Sequence, residues 1–153
     1  MARASYVPTD DQLQQAPPRV LYEFNMFLAS ANTCMGLNKD HDTILYNAAL
    51  EATLLHARNL LDFFTGDQTP KDDIRAAHFL PVAEGGWWKS SRLGLLSSLR
   101  DDLNYSISHL TYRRTRGKPQ WDLAGITGEV QAAFEEFVGL LPEPEQSRWR
   151  GNE

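Results

Sequence analysis

The sequence has few of the features that mark secreted, membrane-spanning or metal-binding proteins. Its single cysteine, Cys34, excludes an internal disulfide and favours a reducing compartment. Its first residues lack the apolar run of a signal peptide, and no stretch approaches the roughly 18 apolar residues of a membrane span. Its four histidines show no paired-ligand spacing, so no metal site is expected. These absences predict a cytoplasmic protein with no membrane association.

Signals for cofactors and for nucleic-acid coating are weak as well. The chain has no glycine-rich phosphate loop and no serine nucleophile elbow, so no cofactor is expected. Its net charge of −5 argues against non-specific coating of nucleic acid, although it is compatible with a local basic patch. What is present is an ordinary globular composition. With 153 residues, 42% hydrophobic and 23% charged, the chain can form one domain with its own core.

Apolar residues at helical spacing predict an all-α fold, a four-helix bundle with one additional short helix. We expect the first helix to follow Pro17-Pro18, because proline suits a first helical turn and not an interior. The second helix should be the most buried, since it is apolar on nearly all sides. The predicted long helices cover about residues 19–36, 42–64, 91–116 and 122–141, and the short one 73–79. The domains predicted are an extended N-terminal arm at 1–18, the bundle at 19–141 and a frayed tail at 142–153.

Three charged residues share one face of the second helix. Glu51, Arg58 and Asp62 follow one another at steps of seven and four residues, which keeps them on one side. In a structural interpretation, Arg58 and Asp62 form an ion pair and Glu51 is solvated or bonded to a neighbouring helix. In a functional interpretation, the three line a cleft and bind a ligand, because charges on a buried helix are costly unless they are paired or open onto solvent. His56 points away from this face and is expected to be structural.

The third long helix carries the densest polar set of the chain. His109 shares a helical face with Asp102 and could act as general acid or base on a ribose hydroxyl. Asn104 and Arg113 could bind a phosphate, and Arg113 and Arg114 begin a basic cluster. The alternative is architectural. Asn104 bonds across the bundle, His109 packs near the helix end, and the helix dipole stabilises the arginines at the C-terminal end of the helix.

Trp87 and Trp88 follow two glycines in the loop before that helix. Such a pair can be a stacking platform for a base. It can equally wedge a loop onto a hydrophobic groove or a partner subunit.

Two segments of the chain resemble proteins of the HEPN-like helical-bundle family. They are residues 51–64 and 103–113, and the resemblance extends over residues 20–141. The more specific similarity is to bacterial members near abortive-infection and toxin proteins. The resemblance implies a bundle of four or five helices, frequent homodimerisation and, in many members, metal-independent RNA cleavage.

In that family, cleavage depends on an arginine followed by four to six residues and then a histidine. His109 matches the histidine. The positions at the required spacing are Asn104, Leu103 and Asp102, so the arginine does not carry over, and Arg100 is too distant.

The sequence therefore supports two hypotheses. The first is an RNA-directed endoribonuclease or toxin-like defence component, with His109 and Asn104 at the reacting phosphate and Arg58 and Arg113 binding it. The second is a non-catalytic dimeric bundle that binds a nucleotide, an RNA or a protein such as an antitoxin.

Overall fold

The computed structural model describes residues 6–66, 72–80, 88–108 and 120–151, with side chains described except those of 106–108. Its helices are α1 Asp10–Gly36, α2 Thr43–Thr65, α3 Gly94–Ser98, α4 Arg100–Ser108, α5 Leu123–Leu140 and α6 Glu143–Trp149, with a 3₁₀ turn at Ala76–His78. Within these ranges there is no strand, which confirms the all-α prediction. None of the described helices is both long and apolar enough to cross a membrane.

Helices α1 and α2 form an antiparallel hairpin that is the largest packing unit of the fold. Near its turn the Cys34 thiol lies 3.8 Å from the Tyr46 carbonyl, and about halfway along α1 Glu23 contacts His56. One side of α2 faces α4, α5 and the 3₁₀ turn. Ten residues of α2 are buried, as expected for a helix that is apolar on nearly all sides. It ends where predicted, at Gly66, whose φ of +61° suits glycine.

The first helix begins nine residues earlier than predicted from the proline pair, so residues 10–18 are not an extended arm. Thr9 and Gln12 form a capping box: the Thr9 side chain accepts from the Gln12 N–H at 3.3 Å, and the Gln12 side chain accepts from the Thr9 N–H at 2.9 Å. Pro18 has no N–H to donate to the Gln14 carbonyl one turn back. The Arg148 guanidinium of α6 donates to that carbonyl instead, which compensates for the proline inside the helix.

The C-terminal segment is also ordered where fraying was expected. Pro142 ends α5 and caps α6, and Trp149 at the end of α6 is completely buried. The centroid of its ring lies 4.8 Å from that of Phe137, 4.9 Å from Phe79 and 6.0 Å from Phe63. Burial of so large a side chain favours docking of the helix over fraying.

The long helix predicted over residues 91–116 is interrupted. Helix α3 stops at Ser98, Leu99 leaves helical geometry, and α4 starts at Arg100. The Glu129 carboxylate of α5 accepts hydrogen bonds from the N–H groups of Leu95 and Leu96 at 2.8 and 2.9 Å, and so caps the start of α3. The contact comes from a distant helix, so local periodicity could not reveal it. Residues 109–119 lie outside the described part.

Candidate functional site

Only part of the polar set predicted on the third long helix can be placed. Asn104 is half-buried on α4, and its amide makes no hydrogen bond within the described chain. His109, Arg113 and Arg114 lie outside the described residues, as does Trp87. Trp88 is half-buried with its ring centroid 6.1 Å from that of Phe137, so it packs onto the core.

The residues at or near the positions where the family's cleavage motif would place its arginine have other roles in this structure. Leu103 has no exposed surface and belongs to the core, while Asp102 is exposed. Arg100 lies earlier on α4 and is tied to α2: its Nη1 donates to Asp62 Oδ1 at 2.5 Å and its Nη2 to Thr65 Oγ1 at 2.9 Å. This guanidinium holds α4 against α2 and is only 18% exposed.

The charges on α2 therefore do not act as one group. Asp62 pairs across the bundle with Arg100, although the spacing in sequence had suggested Arg58 as its partner. Arg58 is half-buried, and Glu51 is exposed. The structural interpretation is the better description of Asp62.

A histidine–carboxylate pair that sequence reasoning missed lies between α1 and α2. His56 Nδ1 is 2.7 Å from Glu23 Oε2, and the Asn59 side-chain amide donates to the same oxygen at 2.9 Å. The Tyr22 ring meets the His56 ring edge-on at 6.0 Å. His56 is only 8% exposed, so the pair mainly fixes how the two helices pack. No local signal could have found it, because Glu23 and His56 are 33 residues apart.

A second feature missed from sequence is a cavity of about 200 Å³ at the start of α1, which we call the α1 cleft. The segment before α1, the first three turns of α1 and the segment at residues 72–79 surround it. Its polar lining residues are Tyr6, Gln12, Gln15, Arg19, Asp72, Asp73 and His78, and its apolar ones are Pro8, Leu13, Ala16, Ile74 and Phe79.

Two titratable side chains of the α1 cleft have shifted pKa values. Burial, together with the negative charges of Asp62 and Asp72, raises the pKa of Asp73 above its ordinary value, against a smaller opposing effect of Arg75. Burial and the nearby Arg75 cation lower the pKa of His78, so its imidazole is neutral at pH 7. Clefts that combine titratable groups with shifted pKa values are frequent functional sites.

Two charged side chains of the α1 cleft make no direct hydrogen bond or ion pair within the described chain. Arg19 is exposed, and Asp73 is half-buried and lies within the electrostatic influence of Arg75. In the sequence, Arg19 follows the proline pair that wrongly predicted the start of α1, and Asp73 begins the predicted short helix at 73–79, where the structure has the 3₁₀ turn Ala76–His78. No group of three potential ligands among the described residues is arranged to hold a metal ion.

Comparison with protein-family models, curated proteins and solved structures finds no match to this chain. The HEPN-like resemblance therefore stays a prediction.

Proposed function

We propose that this chain is a non-catalytic HEPN-like helical bundle, which binds a nucleotide, an RNA or a protein and does not cleave RNA. We also propose that it acts as a homodimer. The environment of α4 supports the proposed absence of RNA cleavage. Leu103 is part of the core, and the Arg100 guanidinium is bonded to Asp62 and Thr65. A guanidinium held in an ion pair inside the bundle is not available to stabilise a reacting phosphate.

The experiment is an RNA cleavage assay on the purified protein and on its His109→Ala variant, with a chelator present and with single-stranded and hairpin RNA as substrates. We expect no cleavage by either protein. Cleavage by the wild type that disappears in His109→Ala, with helical content unchanged by circular dichroism, would overturn the proposal and favour the endoribonuclease hypothesis.

The outer face of the α1–α2 hairpin supports the dimer. Three large apolar side chains of α2 are exposed there: Ile44 by 87%, Leu45 by 55% and Leu55 by 41%. Ile44 and Leu55 are about three turns apart and lie on the same side of α2. Tyr22 of α1, 58% exposed, borders the same face beside His56. Several large apolar side chains exposed on neighbouring helices can mark an interaction site.

A second copy of the chain is the proposed occupant of this surface. Two α2 helices that cross antiparallel at Leu55 bring the same exposed apolar side chain of each copy together, as the self-complementary interface of a two-fold dimer requires.

The dimer is tested by measuring the molar mass with light scattering at several micromolar concentrations. We expect a dimer for the wild type and a monomer for Leu55→Glu, because the charge would be buried unpaired at the centre of the interface. The matched control is Leu140→Glu, at a residue of a different helix, α5, that is similarly exposed, at 51%. A monomeric wild type, or equal effects of the two variants, would refute this arrangement.

A further inference from the structure

The α1 cleft contains one positive and two negative side chains in a space too small for a macromolecule. We propose that it binds a small zwitterion of the α-amino acid class, with Arg19 holding the carboxylate and Asp73 the ammonium group. This inference is independent of the dimer and of α4.

The first argument is that Arg19 and Asp73 do not neutralise each other. No hydrogen bond or ion pair within the described chain joins Arg19 to Asp73, although both residues line the same cavity. The space between Arg19 and Asp73 can therefore hold a ligand that carries both charges. An ammonium group beside Asp73 would also relieve the repulsion from Asp62 and Asp72.

The second argument is selectivity against simpler ions. A ligand with only a negative charge would meet the carboxylates of Asp72 and Asp73, and a ligand with only a positive charge would meet Arg19. Either ion leaves one wall of the cleft repulsive, whereas a zwitterion satisfies both. His78 adds no further charge at pH 7, because its pKa is lowered.

The third argument is size and polarity. A cavity of about 200 Å³ is below the roughly 300–1,000 Å³ that holds drug-sized ligands. Leu13, Ile74 and Phe79 give it an apolar wall beside the charged groups. An amino acid with an apolar side chain, such as leucine, matches both the volume and this wall.

The test uses isothermal titration calorimetry of the full chain with leucine and two analogues that each lack one charge. Isoamylamine has no carboxylate, and 4-methylpentanoate has no ammonium group. We expect leucine to bind at least about tenfold more tightly than either analogue. No leucine binding at millimolar concentration, or equal binding of all three compounds, would refute the zwitterion site.

Two variants assign the contacts to residues. Arg19→Gln should reduce the affinity for leucine to that for isoamylamine, and Asp73→Asn should reduce it to that for 4-methylpentanoate, because each variant removes one recognised charge. Asp101→Asn, at an exposed residue of α4, is the matched control and should bind leucine like the wild type. Unchanged leucine binding in both cleft variants would overturn the proposal. Titration of the Leu55→Glu variant separates this result from the outcome of the dimer test, since its cleft is unaltered.

Discussion

Replacing Trp149 with alanine should severely destabilise the protein. Its indole is completely buried at the end of α6 and contacts Phe63, Phe79 and Phe137. Truncation of a buried tryptophan to alanine costs about 3–5 kcal/mol through lost burial and the cavity left behind. Since domains of this kind unfold with about 5–15 kcal/mol, the variant should lose a large share of its stability.

The Trp149→Phe variant separates ring packing from hydrogen bonding. The buried indole N–H has no hydrogen-bond acceptor among the described residues. Phenylalanine keeps an aromatic ring and removes that unsatisfied donor, which offsets part of the lost volume. We therefore expect a cost below about 1.5 kcal/mol for this variant.

Urea unfolding followed by circular dichroism at the helical band measures both changes. The Trp149→Ala midpoint should fall strongly, and its thermal midpoint should drop by about 6–20 °C. Leu140→Ala, at an exposed residue, is the control and should cost less than about 0.5 kcal/mol. If Trp149→Ala is no more costly than this control, the tail is frayed and the docking of α6 is wrong.

The remaining predictions concern an ion pair, a carboxylate and a helix cap, each measured by urea unfolding. Arg100→Met should lower the free energy of unfolding by about 1–3 kcal/mol, because it leaves Asp62 half-buried without its partner. An unchanged free energy of unfolding would contradict a stabilising role of the Arg100–Asp62 ion pair. Asp73→Asn should raise the free energy of unfolding by a few tenths of a kcal/mol at pH 7. Because the folded-state pKa of Asp73 is raised, the wild type loses stability as pH rises from about 3.9 through that higher pKa. The gain should therefore vanish below this window, and a gain independent of pH would refute the assignment. Thr9→Ala should cost about 1 kcal/mol and Thr9→Ser much less, whereas equal costs would exclude the capping role.

The sequence predicted those helices whose ends are marked locally. Helix α2 stops at Gly66, and α5 begins after Asp122, whose side chain accepts from the Gly125 N–H at 2.9 Å. The predicted start of α1 is wrong, because the capping box formed by Thr9 and Gln12 begins the helix before Pro17-Pro18.

The candidate sites were harder to predict because they depend on contacts between distant segments. The α1 cleft joins Arg19 to Asp73 only after the 3₁₀ turn has packed beside α1. The Arg100–Asp62 pair joins residues 38 positions apart, and spacing within one helix favoured a different partner. Periodicity identifies the face of a helix on which a residue lies, and tertiary packing decides what that face meets.

The thiol near the turn of the α1–α2 hairpin makes the transient opening of this hairpin measurable. Cys34 is the single cysteine of the chain, is 1% exposed, and has its pKa raised by burial. A thiol reagent can therefore modify it only in molecules whose hairpin has transiently separated near its turn. The modification rate under native conditions reports how often that separation occurs, so the protein contains its own probe of local unfolding.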